Sequence, residues 1–319
     1  MNAARNAESP MRSDDGMTRK IFIDGEAGTT GLQIREILGR RDDVTLAAIA
    51  PEQRKNPEAK AEIYADVDVV ILCLPDAAAR ESVALADSLG GKGPRILDAS
   101  TAHRVTPGWT YGFPELAAGQ GEAIAAARRV ANPGCYATGA IAMLRPLIDA
   151  GLIASDQSLA LNAISGYSGG GKQMIEAYES GTGAPFELYA LDLEHKHIPE
   201  IMAYGRLRNR PIFVPSVGNF RQGMLVSLPL ALDDLPGKPE AGDLEAALAA
   251  HYGGQTHVRV VAPEGGKLEP QALNGTNDLE IRVFGNQASR QALIVARLDN
   301  LGKGASGAAV QNLQLMLGL

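Results

Sequence analysis

The sequence predicts an α/β protein of two domains, and three observations support this fold class. Short β-like runs alternate with helical segments over residues 19–133, an order typical of a parallel, doubly wound sheet. Longer β-rich pieces dominate from residue 158 onward, which predicts an α+β domain with a mostly antiparallel sheet. The 319 residues, of which 45% are hydrophobic, are enough to form two such cores.

Four strands and the helices between them are predicted in the first part of the chain. The strands occupy residues 20–24, 44–50, 67–74 and 95–99. Within the third of these, residues 69–74 form a continuously apolar run, which is typical of a strand buried on both faces. Helices are predicted over 32–39 and 77–89, and a short helix or loop over 59–64. A further β-like run, Arg129–Ala131, precedes the change of pattern.

The second part begins with a predicted helix that runs to residue 150. Its predicted strands occupy residues 158–165, 212–217, 224–229, 257–261, 278–285 and 291–298. A helix is predicted near 242–251, and residues 304–319 are helical again. Residues 1–18 are polar and lack the apolar stretch of a signal peptide, so we expect a disordered leader. Met11 and Met17 are the two candidates for the original start of the protein.

Composition excludes several classes of protein. The net charge of -7, with no basic stripe, argues against a nucleic-acid partner. No apolar run is long enough to span a bilayer. The two cysteines lie in unlike settings and do not form a disulfide framework, which fits a protein of the reducing cytosol.

Residues 132–139, with the sequence NPGCYATG, are the most informative segment. The Pro-Gly pair sets a tight turn and places Cys135 at the start of the following helix. Helix amides and the positive end of the helix dipole stabilise an anion there, so we predict a thiol of lowered pKa that acts as a nucleophile. The alternative is a buried structural cysteine. Cys73, inside the apolar run 69–74, is predicted to be inert core.

A glycine loop lies between the first strand and the first helix. Its predicted cofactor contacts are Gly25, Gly28, Thr29, Thr30 and Gly31. The glycines form a G-x-x-G-x-x-G variant of the Rossmann dinucleotide fingerprint, in which the backbone approaches a pyrophosphate at a helix N-terminus. The strand-loop-helix context supports this reading, and the alternative is an ordinary glycine-rich turn.

The second strand indicates which dinucleotide is bound. It ends without the acidic residue that binds the ribose of NAD, and Arg54 and Lys55 follow instead. These cations would neutralise a 2′-phosphate, which favours NADP. Glu52 is nearby, however, and the alternative is that both cations belong to a solvated loop.

Two of the five histidines, His195 and His197, lie close together and precede Glu200. The ligand pattern is too sparse for zinc, so no metal site is predicted. We expect His197 to exchange protons with Cys135 and Glu200 to orient it, with His195 as the second candidate. The alternative is a surface histidine pair beside a helix that starts at Pro199.

These segments together resemble the N-acetyl-γ-glutamyl-phosphate reductases of arginine biosynthesis, in their shorter variety, over residues 21–319. The segments that carry the resemblance are residues 130–139, with Pro146 after them, 197–200 (HIPE), 300–307 (NLGKGASG) and 98–104 (DASTAHR). Residues 300–307 resemble the nicotinamide-side loop of the family, which adds Asn300 and Gly304 to the predicted cofactor contacts. Thr101 and His103 stand where longer members carry Ala and Asp, and residues 165–172 depart from the longer variety.

The resemblance implies a fold shared with aspartate-semialdehyde dehydrogenases. Residues 19–133 and 302–319 would form the NADP domain, and 134–301 the catalytic and oligomerisation domain of a homodimer or homotetramer. It also implies that NADPH reduces an acyl phosphate, N-acetyl-glutamyl 5-phosphate, through a thioacyl intermediate on Cys135. The phosphate and carboxylate of this substrate need cations, and the candidates are Arg104, Lys172 and Arg221, each with a solvent-facing charge as its alternative.

Two other functions remain open from the sequence. A related semialdehyde dehydrogenase acting on aspartyl phosphate would share the fold, cofactor and thiol. A nucleotide-sensing protein would keep the glycine loop without catalysis, although the presence of Cys135, His197 and Glu200 argues against it.

Overall fold

The computed structural model describes residues 18–54 and 56–319. The first domain is built on a six-stranded sheet in the order β2-β1-β3-β4-β6-β5, and every pairing in it is parallel. The strands are β1 (Arg19–Asp24), β2 (Val44–Ala47), β3 (Val69–Leu72), β4 (Arg95–Asp98), β5 (Thr110–Tyr111) and β6 (Arg129–Ala131). The predicted parallel sheet is therefore confirmed.

Helices connect these strands and cover the sheet. They are α1 (Thr29–Leu38), α2 (Pro57–Asp66), α3 (Asp76–Ser88) and α4 (Gln120–Ala126). Sequence patterns missed β5 and α4, because two- and seven-residue elements are too short to show a period. All four residues of β3 are buried, as their apolar run predicts, since helices pack on both faces of the sheet.

The second domain contains a seven-stranded sheet in the order β11-β12-β13-β10-β7-β9-β8. The strands are β7 (Ala160–Gly166), β8 (Phe186–Leu188), β9 (Ile212–Gly218), β10 (Met224–Ala231), β11 (Val258–Val260), β12 (Leu279–Asn286) and β13 (Gln291–Leu298). Four pairings are antiparallel, and β7 with β9 and β11 with β12 pair in parallel. The sheet is thus mixed, and the expectation of a mostly antiparallel sheet is not confirmed in that form.

Helices of the second domain pack on one face of this sheet. The long helix α5 (Cys135–Asp149) lies against the central strands β10 and β13. Helix α8 (Ala241–Tyr252) lies against β12 and the edge strand β11, and both helices share one apolar core with the sheet. Two short helices, α6 (Lys172–Glu179) and α7 (Ile198–Tyr204), lie between strands near the start of α5.

The chain ends on the first domain. A π-helical turn, Gly302–Ser306, leads into α9 (Gly307–Leu317). Ala309, Leu313 and Met316 of α9 are buried in the same core as Ile21 and Ile34. Because the π turn contacts α5 while α9 packs on α1 and α4, this segment ties α5 to the helix that follows the glycine loop. Across the described residues no helix has the length and apolarity needed to cross a bilayer.

Candidate active site

Cys135 is the first residue of α5, directly after the turn that follows β6. Gly134 caps the helix in an extended conformation and offers no side chain to the free amides of the first turn. A Cβ at Gly134 would lie 2.4 Å from both Arg104 Nη1 and His197 Nε2. Glycine is therefore required here, since it lets these two side chains approach the backbone beside the thiol.

A cavity of 280 Å³ lies between the two domains at this helix start. It brings together eight of the predicted site residues: Thr29, Thr30, Arg104, Cys135, His195, His197, Asn300 and Gly304. The π turn comes particularly close, because a Cβ at Gly304 would lie 2.8 Å from Cys135 Cβ. Asn300 holds this segment by donating to Ser168 Oγ at 2.9 Å and accepting from the Gly223 amide at 2.8 Å.

The thiol environment differs from the one predicted. Burial raises the pKa of Cys135 above its ordinary value, although the Tyr136 amide and the charges of Arg104 and Lys196 act in the opposite direction. The predicted lowering of the thiol pKa is therefore wrong, since desolvation outweighs the helix start. Cys73 lies directly after β3, and burial likewise raises the pKa of its thiol to about 12. Ionisation of Cys135 at neutral pH thus depends on a base in the cavity.

Both histidines are buried and electrically neutral near pH 7. Burial lowers the pKa of His195 to about 4 and that of His197 well below its ordinary value, and the charge of Arg104 adds to both effects. His195 Nδ1 accepts the His197 backbone N–H at 3.1 Å. Nδ1 of His197 is buried without a hydrogen-bond partner within the part of the chain that the structure describes. A neutral imidazole can take the thiol proton, so either ring is chemically able to be the base.

Glu200 does not orient His197, contrary to the prediction. Its Oε1 accepts from Arg104 Nη1 at 2.6 Å, and its Oε2 accepts from Tyr111 OH at 2.7 Å and the Gly134 amide at 3.1 Å. The carboxylate is 1% exposed and is occupied by these three donors. It instead fixes the backbone next to Cys135 and holds the guanidinium of Arg104, because a buried carboxylate takes the strongest donors around it.

The glycine loop has the backbone geometry of a dinucleotide site. Gly25 has φ +91°, and a Cβ there would lie 2.3 Å from the Cys73 carbonyl oxygen. A Cβ at Gly31 would lie 2.7 Å from the Gly25 carbonyl oxygen, so two of the three glycines are required by close contacts. Gly28 caps α1, and Thr29 is its first residue. The loop therefore leaves the α1 amides open toward the cavity, as anion binding requires.

A second cavity, of 630 Å³, lies on the other side of this loop. Its walls include Gly25, Glu26, Ile49 and Arg54. Arg54 donates to Glu26 Oε1 at 2.7 Å. Lys55, the other predicted cation, lies outside the described residues.

Comparisons with known proteins agree with this architecture. Residues 20–126 match the family model of the semialdehyde dehydrogenase NAD binding domain, and residues 135–300 match that of the semialdehyde dehydrogenase dimerisation domain. An N-acetyl-gamma-glutamyl-phosphate reductase from Chelativorans sp. is 54% identical over 309 residues, which cover 94% of this chain and 99% of the relative. One from Brucella ovis is 51% identical over 311 residues, or 95% of this chain and 100% of the relative.

The chain belongs to the N-acetyl-gamma-glutamyl-phosphate reductase family. Solved structures share the fold at much lower identity. Aspartate semialdehyde dehydrogenase II from Vibrio cholerae, complexed with ASA, is 14% identical with a TM-score of 0.72, over 95% of this chain and 99% of that one. The enzyme from Candida albicans with NADP is also 14% identical, with a TM-score of 0.63, over 94% and 99%.

Two cations predicted to contact the substrate of this reductase family do not line the active-site cavity. Lys172 is exposed on α6, with its Nζ 3.7 Å from Glu176. Arg221 pairs with Glu179, and half of each side chain is exposed. Both residues follow or lie in glycine-rich loops near the cavity. The Lys172 side chain points to solvent, however, and the Arg221 side chain points to helix α6.

Lys196 is a cavity residue that the sequence reasoning missed. It lies between the two histidines, and no carboxylate of the described residues lies within ion-pair distance of it. The sequence feature that could have identified Lys196 as a site residue is its position inside the predicted histidine segment. Tyr189 and Asn132 also line the cavity, and their roles follow only from the fold.

The segment that departs from longer members of the family has a local explanation. Asp98 is fully buried and accepts from the Ser100 amide at 2.9 Å and from Ser100 Oγ at 2.8 Å. His103 Nδ1 lies 2.6 Å from the same carboxylate, and its ring stacks on Trp109 with centroids 4.2 Å apart. His103 thus forms part of the loop that carries Arg104 into the site.

Proposed function

We propose that this chain catalyses the NADPH-dependent reduction of N-acetyl-glutamyl 5-phosphate to N-acetyl-glutamate 5-semialdehyde and phosphate, a step of arginine biosynthesis. The observation that carries the proposal is the position of Cys135, at a helix start capped only by Gly134 and in contact with the π turn at Gly304. Two relatives above 50% identity bear the name of this reductase. The cavity between the domains places the thiol, two neutral histidines and two cations together.

The thiol acts first in the proposed mechanism. His197 accepts the Cys135 proton, and the thiolate attacks the acyl carbon, so a C–S bond forms as the C–O bond to phosphate breaks. The thioacyl group stays on Cys135 until it is reduced, and the oxyanion then collapses to the aldehyde as the C–S bond breaks and the thiolate returns. NADPH supplies the hydride for this reduction when it is bound.

Two groups of the chain hold charge in place during these steps. The Tyr136 amide stabilises the sulfur of Cys135. Arg104 lines the cavity while its Nη1 and Nε are held by Glu200 and by the Asn132 carbonyl oxygen at 3.1 Å. Because its guanidinium is fixed before substrate arrives, it stabilises an anion without reorganising.

The geometry fits NADP as the cofactor. The pyrophosphate would lie on the open amides of α1 between the two cavities, with the nicotinamide on the Gly304 side and the adenosine in the cavity of Arg54. Glu26 in that cavity is paired with both Arg35 and Arg54, at 2.8 and 2.7 Å. The Arg54 guanidinium therefore lines this cavity with only one of its nitrogens bonded to Glu26, and its remaining donors can contact a 2′-phosphate.

A direct assay tests the proposed reaction. The purified protein should form NADPH from NADP when N-acetyl-glutamate 5-semialdehyde and phosphate are supplied. Aspartate semialdehyde should be a much poorer substrate. Turnover of aspartate semialdehyde alone would establish the related dehydrogenase activity instead, and binding of NADP without any turnover would indicate a nucleotide sensor.

Replacing Arg54 by alanine should raise KM for NADPH about tenfold and leave KM for NADH nearly unchanged, since loss of one charge-assisted contact costs on this order. The measurement is steady-state kinetics with both cofactors. Arg35→Ala is the matched control, because Arg35 pairs with the same Glu26 carboxylate but does not line the second cavity. Equal loss with both cofactors in Arg54→Ala would contradict the assignment.

Lys196 is proposed to bind an anionic group of the substrate, in place of Lys172 and Arg221. Lys196→Met keeps the apolar stem and removes the charge, so KM for the acyl phosphate should rise about tenfold or more. Lys172→Met is the matched control and should behave like the wild type. The opposite result, with only Lys172→Met impaired, would restore the assignment made from sequence.

We also propose the domain division 19–133 with 302–319 and 134–301, and a homodimer or homotetramer in the cytosol. The second sheet leaves an apolar surface on the face opposite α5, which includes Ile164, Leu225, Phe284 and Leu293. An apolar face of this kind on a domain that matches a dimerisation model supports burial against a second copy.

A further inference from the structure

Four side chains from both domains form a closed ring behind the Cys135 turn. Tyr111 OH donates to Glu200 Oε2 at 2.7 Å, and Arg104 Nη1 donates to Glu200 Oε1 at 2.6 Å. Tyr204 OH donates to the Arg104 carbonyl oxygen at 2.7 Å. The rings of Tyr204 and Tyr111 then stack, with centroids 3.7 Å apart and planes 13° from parallel, which closes the circuit.

This ring is connected directly to the backbone that presents the nucleophile. Glu200 Oε2 also accepts the Gly134 amide at 3.1 Å, and Arg104 Nε donates to the Asn132 carbonyl oxygen at 3.1 Å. Both ends of the Asn132–Gly134 turn are therefore held by the same ion pair. Any rotation of the Glu200 carboxylate would move the turn, the guanidinium of Arg104, or both.

Tyr111 lies where it can prevent that rotation. It is 2% exposed on β5 of the first domain, and it does not line the active-site cavity. Burial raises the pKa of Tyr111 well above its ordinary value, and the Glu200 charge adds to this, so the hydroxyl stays a donor at every working pH. Tyr204, on α7, completes the circuit of four side chains, and its aromatic ring fixes the plane of the Tyr111 ring by stacking.

We propose that Tyr111 and Tyr204 are positioning residues that lock the Glu200–Arg104 ion pair, and through it the Cys135 turn, when the two domains are docked. The inference rests on the proposed function, since it assigns these side chains to the reaction of Cys135. Tyr111 acts through Glu200 and does not touch the substrate. Tyr204 acts through the stacked ring and the Arg104 backbone.

The test removes one hydroxyl and keeps the ring. Tyr111→Phe should lower kcat about tenfold, the effect expected from loss of one hydrogen bond to a buried charge, with KM for NADPH unchanged. The rate at which iodoacetamide alkylates Cys135 should change as well, because the turn is less fixed. Tyr252→Phe is the matched control: Tyr252 is also buried, its hydroxyl donates to the Ala142 carbonyl oxygen at 2.8 Å, and it lies away from the site.

A double-mutant cycle separates positioning from general destabilisation. If Tyr111 acts through Glu200, then Tyr111→Phe should add little to the loss of kcat already caused by Glu200→Gln. Additive losses, or a Tyr111→Phe variant that matches Tyr252→Phe in kcat and alkylation rate, would overturn the inference. The alkylation rate needs no substrate, so it decides the positioning role even if the proposed reaction is not observed with the wild type.

Discussion

Replacing Cys135 by serine should lower turnover on the order of 10⁴-fold or more, as is typical when an enzyme loses its covalent nucleophile. Serine keeps the size and the helix start, so NADP should still bind with unchanged affinity. The loss follows from the higher pKa and lower nucleophilicity of a hydroxyl, which the neutral histidines cannot compensate. Steady-state turnover and a cofactor titration measure the two effects separately.

Alkylation distinguishes the nucleophile from the other cysteine. Cys135 borders the cavity, whereas burial raises the pKa of Cys73 to about 12 at the end of β3. Iodoacetamide should therefore modify Cys135 first, and faster as pH rises, because burial has also raised the pKa of its thiol. Cys73→Ser is the control and should keep wild-type activity. Equal modification of both cysteines, or an active Cys135→Ser variant, would disprove the assignment.

The sequence predicted the features that depend on local geometry. Glycine spacing between β1 and α1 identified the dinucleotide loop, because tight contacts such as the one at Gly25 admit no side chain. The Pro-Gly turn located the start of α5 at Cys135 for a similar reason. The parallel order of the first sheet followed from alternation of short strands and helices.

Features that depend on distant residues were not predictable in this way. Glu200 was assigned to His197, three positions away, although its partners Arg104 and Tyr111 lie 96 and 89 positions away. Lys172 was assigned to the cavity, but the orientation of a short helix toward solvent is decided by packing. The thiol pKa also differed from prediction, since burial depends on how the two domains close over Cys135.

His197 should be the second most sensitive position. Replacing it by asparagine keeps a buried polar side chain of similar size but removes the base, so kcat should fall about 10²- to 10⁴-fold, the usual contribution of acid-base catalysis. His195→Asn should act mainly on KM, because His195 Nδ1 already accepts the His197 backbone N–H and so helps to hold the histidine segment in place. If His195→Asn abolishes turnover while His197→Asn stays near wild type, the two roles are reversed.

The pH dependence of stability gives an independent measure of the same histidines. Burial lowers the pKa of His195 from 6.5 to about 4, and that of His197 well below 6.5, so the unfolded chain binds protons that the folded chain does not. Stability should therefore be fully present above about pH 6.5 and should fall as the pH decreases below it. His197→Asn should reduce this acid sensitivity in chemical unfolding experiments at pH 7 and pH 5, whatever its effect on turnover. An unchanged difference between the two pH values would show that burial does not lower the pKa of His197.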